Sequence, residues 1–257
     1  MKIVTITSDS YRHKYLPSLI EISKSLDLKK SFIEKNKKTK TIQYNSTYLK
    51  KYLNDRKKIE KKIFKKFVSK NFNKKKQKII KEHEINSNSF VKKIDIIKPD
   101  LIISFGCSII KSRLINKYKY KFINIHLGLS PYMRGAGTNF FPFYLKKLEL
   151  LGSTIMFIDY KLDDGKIIHQ ITPNFVNTDN IHTVGLKLIK KTFLELIEIL
   201  QSKKKLVGKK FKVKNSYYFK RKDFNENFLI KAKENLKKGI IRKYINKKRK
   251  VKIIKFL

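Results

Sequence analysis

Cysteine and tryptophan are nearly absent from this chain. Its 257 residues contain one cysteine, Cys107, and no tryptophan. A single cysteine excludes an intrachain disulfide and any zinc or iron–sulfur site built from several cysteines. Four scattered histidines also lack metal-ligand spacing; they are His13, His83, His169 and His182. We therefore expect no metal site, and we interpret Cys107 as a small apolar residue.

Long apolar runs are also missing. No stretch approaches the roughly 18 consecutive apolar residues that a membrane-spanning helix requires, and the opening MKIVTIT lacks the features of a signal peptide. Hydrophobic residues nevertheless make up 41% of the chain and aromatic residues 12%, a balance typical of a folded protein. We expect a cytoplasmic protein with one substantial core and no membrane contact.

Acidic residues are scarce beside basic ones. The chain has 20 Asp and Glu against 63 Lys and Arg, a formal net charge of +43. Such a charge favours polyanions, because Lys and Arg neutralise phosphates. However, lysine greatly outnumbers arginine, and Ile, Asn, Phe and Tyr are also plentiful. These residues have A/T-rich codons, so a drift of the genome toward A and T would produce this composition without a nucleic-acid partner. The charge is therefore a weak indication of function.

Apolar runs alternate with helical patterns along much of the chain. Residues 2–7 predict a strand, and the spacing of Leu16, Leu19 and Leu26 predicts a helix after it. Beyond residue 99, strands are predicted at 101–105, 121–126, 153–159 and 166–172, and helices at 109–118, 138–148 and 181–200. This alternation predicts an α/β fold, with a Rossmann-like, mostly parallel sheet and helices on both faces.

Two lysine-rich regions stand apart from this pattern. Residues 34–93 combine charge runs with sparse apolar positions, and we expect peripheral basic helices and loops there. We assign them to a catalytic domain over 1–205. Residues 206–257 are predicted to form a short, basic, helical C-terminal extension, in which Gly239 ends a helix.

Glycines cluster around three polar residues. Six of the nine glycines lie between residues 106 and 165. Asn124 and His126 are two residues apart near the end of a predicted strand, so their side chains would share one face. Asp163 follows the next strand in an LDDG turn, where it could pair with an imidazolium. Together, an amide donor and an imidazole suit acyl transfer to an amine.

The same segments resemble a known enzyme family. Three motifs between residues 124 and 168 resemble the signatures of folate-dependent formyltransferases in identity, order and separation. They are NIHLGLSPYMRGAGTN, GSTIMFID and LDDGKII. That family includes enzymes that formylate glycinamide ribonucleotide, methionyl-tRNA and sugar-nucleotide amines. The resemblance covers 99–171 well and extends to the opening strand and helix.

The resemblance implies roles for individual residues. It implies that Asn124, His126 and Asp163 are the catalytic trio of an enzyme that transfers one-carbon groups. It also implies that 10-formyltetrahydrofolate is the formyl donor. The expected donor-binding residues are Ser108, Ile109 and Ile110 on one side and Asp159, Tyr160, Lys161 and Leu162 on the other. Arg134 and Gly135, in the loop after Pro131, are expected to face the acceptor.

The acceptor is less well defined by the resemblance. The turn after the first strand is TSDSYRHKY, which lacks the glycines with which the purine enzymes of the family bind phosphate. The residues after 200 are too few for the additional C-terminal barrel of the methionyl-tRNA enzymes. We therefore expect a small primary amine, such as a sugar-nucleotide amine. The alternatives are a methionyl-tRNA formyltransferase with tRNA as partner, a formyltetrahydrofolate hydrolase, and a basic nucleic-acid-binding protein on a degenerate transferase fold.

Overall fold

The strands and helices of this chain form one layered α/β body. The computed structural model describes residues 1–35 and 46–256. The strands are β1 (Lys2–Ser8), β2 (Asp27–Lys35), β3 (Gln77–Lys81), β4 (Leu101–Phe105), β5 (Phe122–His126), β6 (Met133–Gly135), β7 (Ser153–Phe157), β8 (Ile167–Ile171) and β9 (Tyr217–Phe219). The helices are α1 (Tyr11–Ile22), α2 (Thr47–Asn71), α3 (Asn88–Ile97), α4 (Ser112–Lys117), α5 (Phe141–Tyr144), α6 (Ile181–Gln201), α7 (Glu226–Lys237) and α8 (Ile240–Asn246).

Within the described residues, seven strands form one sheet in the order β3-β2-β1-β4-β5-β7-β8. The pairings from β3 to β5 are parallel, whereas β7 and β8 are antiparallel to their neighbours. The predicted mostly parallel α/β sheet is therefore confirmed. The antiparallel edge arises because residues 158–166 join β7 to β8 without a crossover helix.

The central strands are apolar because both of their faces are covered. All five residues of β4, LIISF, are buried, as expected for a strand between two helical layers. Ile103 and Phe105 pack in the cluster that includes α1 and α6, whereas Ile102 packs in the cluster that includes α3 and α4. The carboxyl ends of β1, β4 and β5 lie side by side at one edge of the sheet.

The region 34–93 is more than peripheral helices and loops, and that expectation is corrected here. Residues 36–45 of it lie outside the described part of the chain. β3 forms an edge strand of the main sheet, and β2, whose last two residues fall in the region, was not predicted. Both were missed because their exposed positions carry lysines, which interrupt the apolar pattern. α2 has an exposed basic face, but Phe64 and Val68 belong to the main core.

The predicted helix over 138–148 is shorter than expected. α5 spans only four residues, and a 3-10 turn follows at Leu148–Leu150. Between them Lys146 adopts a left-handed backbone conformation with a φ of 54°, which an α-helix does not accommodate.

The C-terminal extension packs on this body. It contains the predicted basic helices, α7 and α8, and Gly239 between them has the left-handed φ of 72° that commonly ends a helix. It also supplies a strand that was not predicted, since β9 pairs in parallel with β6. The amide of Asn235 donates to the carbonyls of Phe143 and Tyr144, at 2.9 and 3.1 Å. Among the described residues, no helix is both long and apolar enough to cross a membrane.

Candidate active site

Asn124 lies on β5 with its amide oriented by a neighbouring strand. The hydroxyl of Ser104, on β4, donates to Asn124 Oδ1 at 2.9 Å. These two residues are directly paired in the parallel ladder. Because the oxygen end of the amide accepts from Ser104, its Nδ2–H₂ end is turned away from Ser104. Asn124 can therefore present hydrogen-bond donors to a ligand.

His126 shares the face of β5 that carries Asn124 and is held from both sides of its ring. Nδ1 lies 3.2 Å from Oδ1 of Asp163, and Nε2 lies 3.0 Å from the carbonyl oxygen of Met133. Both neighbours are hydrogen-bond acceptors, and a neutral imidazole has only one N–H. Nε2 is hydrogen-bonded to the Met133 carbonyl, and Nδ1 lies at ion-pair distance from the Asp163 carboxylate.

Asp163 occupies a tight turn that brings it back over β5. Its backbone has a left-handed φ of 53°, which Asp and Asn adopt more readily than most residues. Its second carboxylate oxygen, Oδ2, accepts the backbone N–H of Gly135 at 2.9 Å. Gly165, two residues later, packs so closely on the Phe157 carbonyl that a Cβ there would collide with it. The carboxylate therefore connects His126 with the segment that carries Arg134 and Gly135.

Gly128 leaves the space that the His126 ring uses. A Cβ at this position would collide with His126 Nε2 and stand only 2.8 Å from the carbonyl oxygen of Met133. The same Cβ would stand 2.9 Å from Cβ of Thr138. The contact between His126 and the Met133 carbonyl thus requires a glycine at position 128.

The first segment expected to bind the donor follows β4 and is tied to β2. Ser108 donates its backbone N–H and its hydroxyl to the Glu34 carboxylate, both at 2.6 Å. Ile109 is 65% exposed, whereas Ile110 is buried against α3 and α4. Cys107 in this loop is half-buried, and burial together with the Glu34 charge raises the pKa of its thiol to about 12.

Glu34 is a residue that the sequence did not single out. Its side chain is fully buried at the end of β2, where it also accepts the backbone N–H of His83 at 2.8 Å. The only signal was an acidic residue within a lysine-rich stretch. That signal was uninformative without knowing that β2 and β4 flank β1.

The second expected donor segment is exposed at its apolar positions. Tyr160 and Leu162 are 63% and 43% exposed, and Lys161 is also exposed. Asp159 accepts the backbone N–H of Tyr160 at 2.7 Å and lies 3.4 Å from Nζ of Lys210. Exposed apolar side chains on both segments, including Ile109, fit a flat heteroaromatic ligand better than a strongly charged one.

Arg134 and Gly135 form most of β6, directly beside Asp163. Tyr218 and Phe219 of β9 are their register partners. The Nε of Arg134 is buried and has no hydrogen-bond partner among the described residues. Gly135 has a positive φ of 88°, and a Cβ on it would collide with the carbonyl oxygen of Phe219. The structure thus brings Gly135 into contact with the trio and with the extension.

His13 and His169 lie outside this trio and have partners of their own. His13 is buried against Phe105 and accepts or donates one hydrogen bond with Ser10 Oγ at 2.7 Å; burial lowers its pKa well below 6.5. His169 lies 2.7 Å from a carboxylate oxygen of Glu195. Within the described residues, no cluster of His, Cys, Asp and Glu has the arrangement of a metal site.

Comparison with known proteins identifies the family and relatives of this chain. A model of the formyl transferase family matches residues 25–200. The methionyl-tRNA formyltransferase of Bacillus subtilis is 30% identical over 128 residues, which are 46% of this chain and 40% of that protein. That of Buchnera aphidicola is 30% identical over 125 residues, 48% of this chain and 39% of that protein. The matches therefore span less than half the length of these relatives.

Solved structures share the fold at low sequence identity. Phosphoribosylglycinamide formyltransferase from Anaplasma phagocytophilum has a TM-score of 0.57 at 15% identity, over 86% of this chain and 98% of that one. An N-formyltransferase from Helicobacter canadensis, solved with folinic acid and dTDP-3-aminofucose, has a TM-score of 0.54 at 19% identity, over 95% and 82%. The family match covers well over half of the chain and includes Asn124, His126 and Asp163. This chain therefore belongs to the formyl transferase family of enzymes.

Proposed function

We propose that this chain transfers the formyl group of 10-formyltetrahydrofolate to the primary amine of a small molecule, such as a sugar-nucleotide amine. The observation that carries the proposal is the contact between His126 and Asp163, 3.2 Å apart, beside an Asn124 amide that Ser104 orients. An oriented amide and a charged imidazole are suited to stabilise an oxyanion. The apolar exposure of Ile109, Tyr160 and Leu162 supports a folate on that side.

The proposed reaction begins when the acceptor amine attacks the formyl carbon. A new C–N bond forms, and the carbonyl oxygen becomes negative. The Nδ2–H₂ group of Asn124 donates to that oxygen, and His126 contributes positive charge. The Asp163 carboxylate, 3.2 Å from Nδ1, is the counter-charge to the ring, and the Met133 carbonyl fixes the ring from the Nε2 side.

The intermediate then collapses with proton transfer. The bond between the formyl carbon and N10 of the folate breaks, and its electron pair remains on N10. A proton leaves the amine and reaches N10 through Asp163 and water. The products are the formamide and tetrahydrofolate, so that atoms and charge balance without a covalent enzyme intermediate.

A small acceptor is favoured by the extent of the fold likeness. The likeness to the Helicobacter canadensis enzyme, which was solved with an amino-sugar nucleotide, extends over 95% of this chain. By contrast, the sequence matches to the curated methionyl-tRNA enzymes cover 46–48% of this chain. Proteins that share this fold along the extension are thus a better guide to the acceptor than these partial matches.

An acceptor panel tests the proposal. Purified protein is incubated with 10-formyltetrahydrofolate and individual amines, including amino-sugar nucleotides, and formation of tetrahydrofolate and of the formamide is followed. We expect release of tetrahydrofolate only with a suitable amine, and loss of turnover in Asn124→Ala and His126→Ala. Full activity of His126→Ala would overturn the mechanism. Steady release of formate without any amine would instead identify a hydrolase.

Methionyl-tRNA is the second candidate acceptor. It is supported by the 30% identity to methionyl-tRNA formyltransferases over 125–128 residues. Binding of tRNA does not discriminate, because a chain with a net charge of +43 binds RNA nonspecifically at low salt. Formylation of methionyl initiator tRNA, with uncharged tRNA as control, is the measurement that decides between the two acceptors.

A further inference from the structure

The strand β9 of the C-terminal extension lies against the segment that holds both ionisable members of the trio. Its register partners are Met133, Arg134 and Gly135 of β6. The backbone N–H of Tyr217 donates to the carbonyl of Tyr132 at 2.7 Å. At the other end of the pairing, the N–H of Ala136 donates to the carbonyl of Phe219, also at 2.7 Å. β6 is therefore fixed at both ends by residues more than 80 positions later in the chain.

β6 in turn makes one contact to each ionisable member of the trio. The Met133 carbonyl lies 3.0 Å from Nε2 of His126, and the Gly135 N–H donates to Oδ2 of Asp163 at 2.9 Å. Both contacts use backbone atoms, so they depend on where the backbone of β6 lies. A shift of β6 would therefore move both the carbonyl that contacts His126 and the N–H that contacts Asp163.

Phe219 anchors β9 through its ring as well as its carbonyl. The ring stacks on Phe141 of α5 with a centroid distance of 3.6 Å and an interplanar angle of 7°. Its carbonyl oxygen occupies the space in which Gly135 lacks a side chain. Phe219 thus contacts α5 through its ring and Gly135 of β6 through its carbonyl oxygen.

We propose that Phe219 is a positioning residue for the transfer reaction, which holds Met133 and Gly135 where they orient His126 and Asp163. The inference rests on the proposed function for its kinetic consequences. It assigns to the extension a part in the chemistry, although residues 206–257 contribute none of the trio. A misplacement of about 1 Å at a reacting group can lower a rate on the order of 100-fold.

The chain offers a matched control for this role. Phe228, on α7, also contacts Phe141, at 5.7 Å between ring centroids, and contacts Tyr144 at 4.5 Å. Phe228→Ala therefore removes an aromatic contact between the same extension and the same helix, α5, but leaves the pairing of β6 with β9 untouched. Phe219→Tyr keeps the ring and serves as the conservative variant.

The experiment compares Phe219→Ala, Phe219→Tyr and Phe228→Ala at a temperature at which circular dichroism shows all of them folded. We expect kcat of Phe219→Ala to fall by about 10- to 100-fold, with its pH profile displaced. KM for 10-formyltetrahydrofolate should change little, because the 108–110 segment has contacts of its own. Phe219→Tyr should restore kcat, and Phe228→Ala should retain it.

A second readout does not require turnover. Ring ¹⁵N resonances of His126, assigned with His126→Gln, report its tautomer and hydrogen bonding across a pH titration. They should move in Phe219→Ala and stay in place in Phe228→Ala. Equal kcat and unmoved His126 resonances in Phe219→Ala would overturn the positioning role. If no amine is formylated by the wild type, the proposed function fails, and the resonances still decide whether Phe219 positions His126.

Discussion

Nδ1 of His126 lies 3.2 Å from Oδ1 of Asp163, although the two residues are 37 positions apart and belong to different segments. The contact forms because residues 158–166 fold back over β5 and because Asp163 adopts a left-handed conformation at the top of that turn. It places a carboxylate directly beside an imidazole in a buried site. The chemistry proposed for this chain depends on that one contact.

Replacement of Asp163 should therefore impair chemistry more than folding. Asp163→Asn keeps the size of the side chain, and Asn tolerates a left-handed backbone, but the amide cannot neutralise an imidazolium. We expect kcat to fall by about 10²- to 10⁴-fold. The neighbouring Asp164 is the matched control, since among the described residues its carboxylate pairs with Lys210 alone, at 3.5 Å on the surface. Comparable losses in Asp163→Asn and Asp164→Asn, measured by tetrahydrofolate release, would refute the assignment.

The space at Gly128 should be essential for the orientation of His126. In Gly128→Ala the new Cβ would collide with Nε2 of His126 and crowd the Met133 carbonyl at 2.8 Å. We expect lower kcat and lower stability, since overpacking typically costs about 1–3 kcal/mol. Gly185→Ala is the control: Gly185 sits within α6, and beyond the backbone of that helix the nearest described atom to an added Cβ is Cβ of Asn139, at 3.8 Å.

The two glycine variants should shift stability in opposite directions. Alanine is better than glycine in a helix interior by about 1 kcal/mol, so Gly185→Ala should raise the free energy of unfolding in urea and leave kcat unchanged. The prediction for Gly128 is wrong if its alanine variant retains wild-type kcat.

Glu34 should control binding of the formyl donor. In Glu34→Gln one carboxylate oxygen becomes an NH₂ group that faces a donor, either Ser108 or the backbone N–H of His83. An unsatisfied buried donor costs about 1–3 kcal/mol, and the 108–110 segment should lose its fixed position. We expect KM for 10-formyltetrahydrofolate to rise with a smaller change in kcat.

Glu84→Gln is the control for that measurement. Glu84 also accepts a backbone N–H, that of Lys81 at 2.9 Å, and pairs with Lys93, but its side chain is 23% exposed. We expect its donor KM to equal that of the wild type. An unchanged KM in Glu34→Gln would show that the buried carboxylate serves stability alone.

Stability should decrease as the pH falls below neutrality, in part through His182. Burial, followed by the charge of Arg56, lowers the pKa of His182 to about 4 from a usual value of 6.5. Between these pH values the unfolded chain binds more protons than the folded one, so folding is disfavoured as pH falls. The contribution of neutral His182 is complete above about pH 6.5 and is lost towards about pH 4.

Urea unfolding of the wild type and His182→Gln across pH 4–7.5 tests this linkage. The difference in unfolding free energy between the two proteins should be constant near pH 7 and decrease steadily below about pH 6.5. The ring of His182 lies 4.3 Å from that of Tyr52, so the variant also loses a packing contact that does not depend on pH. A difference that stays constant over the whole range contradicts the prediction.

Local patterns identified the strands that are uniformly apolar and failed where lysine occupies the exposed face. β4 and β5 were predicted because their residues are buried or nearly so. β2 and β3 were not, since Lys29, Lys30 and Lys78 interrupt the apolar pattern of both strands, even though Ser31–Glu34 of β2 are buried. The site shows the same division. Asn124 and His126 could be paired from strand periodicity, but the contacts of Glu34, Met133 and Phe219 could not.

The α/β class, the order of most elements, the family and the three polar residues of the site could all be inferred from local patterns and motifs. The contacts of Met133 and Gly135 with His126 and Asp163, and the pairing of β9 with the strand that carries Met133 and Gly135, became visible only in the folded chain. Periodicity reports which side of an element is apolar, because that depends on residues a few positions apart. Contacts between different elements, such as those of Gly135 with Asp163 and of β6 with β9, depend instead on how the packed elements bring backbone groups together.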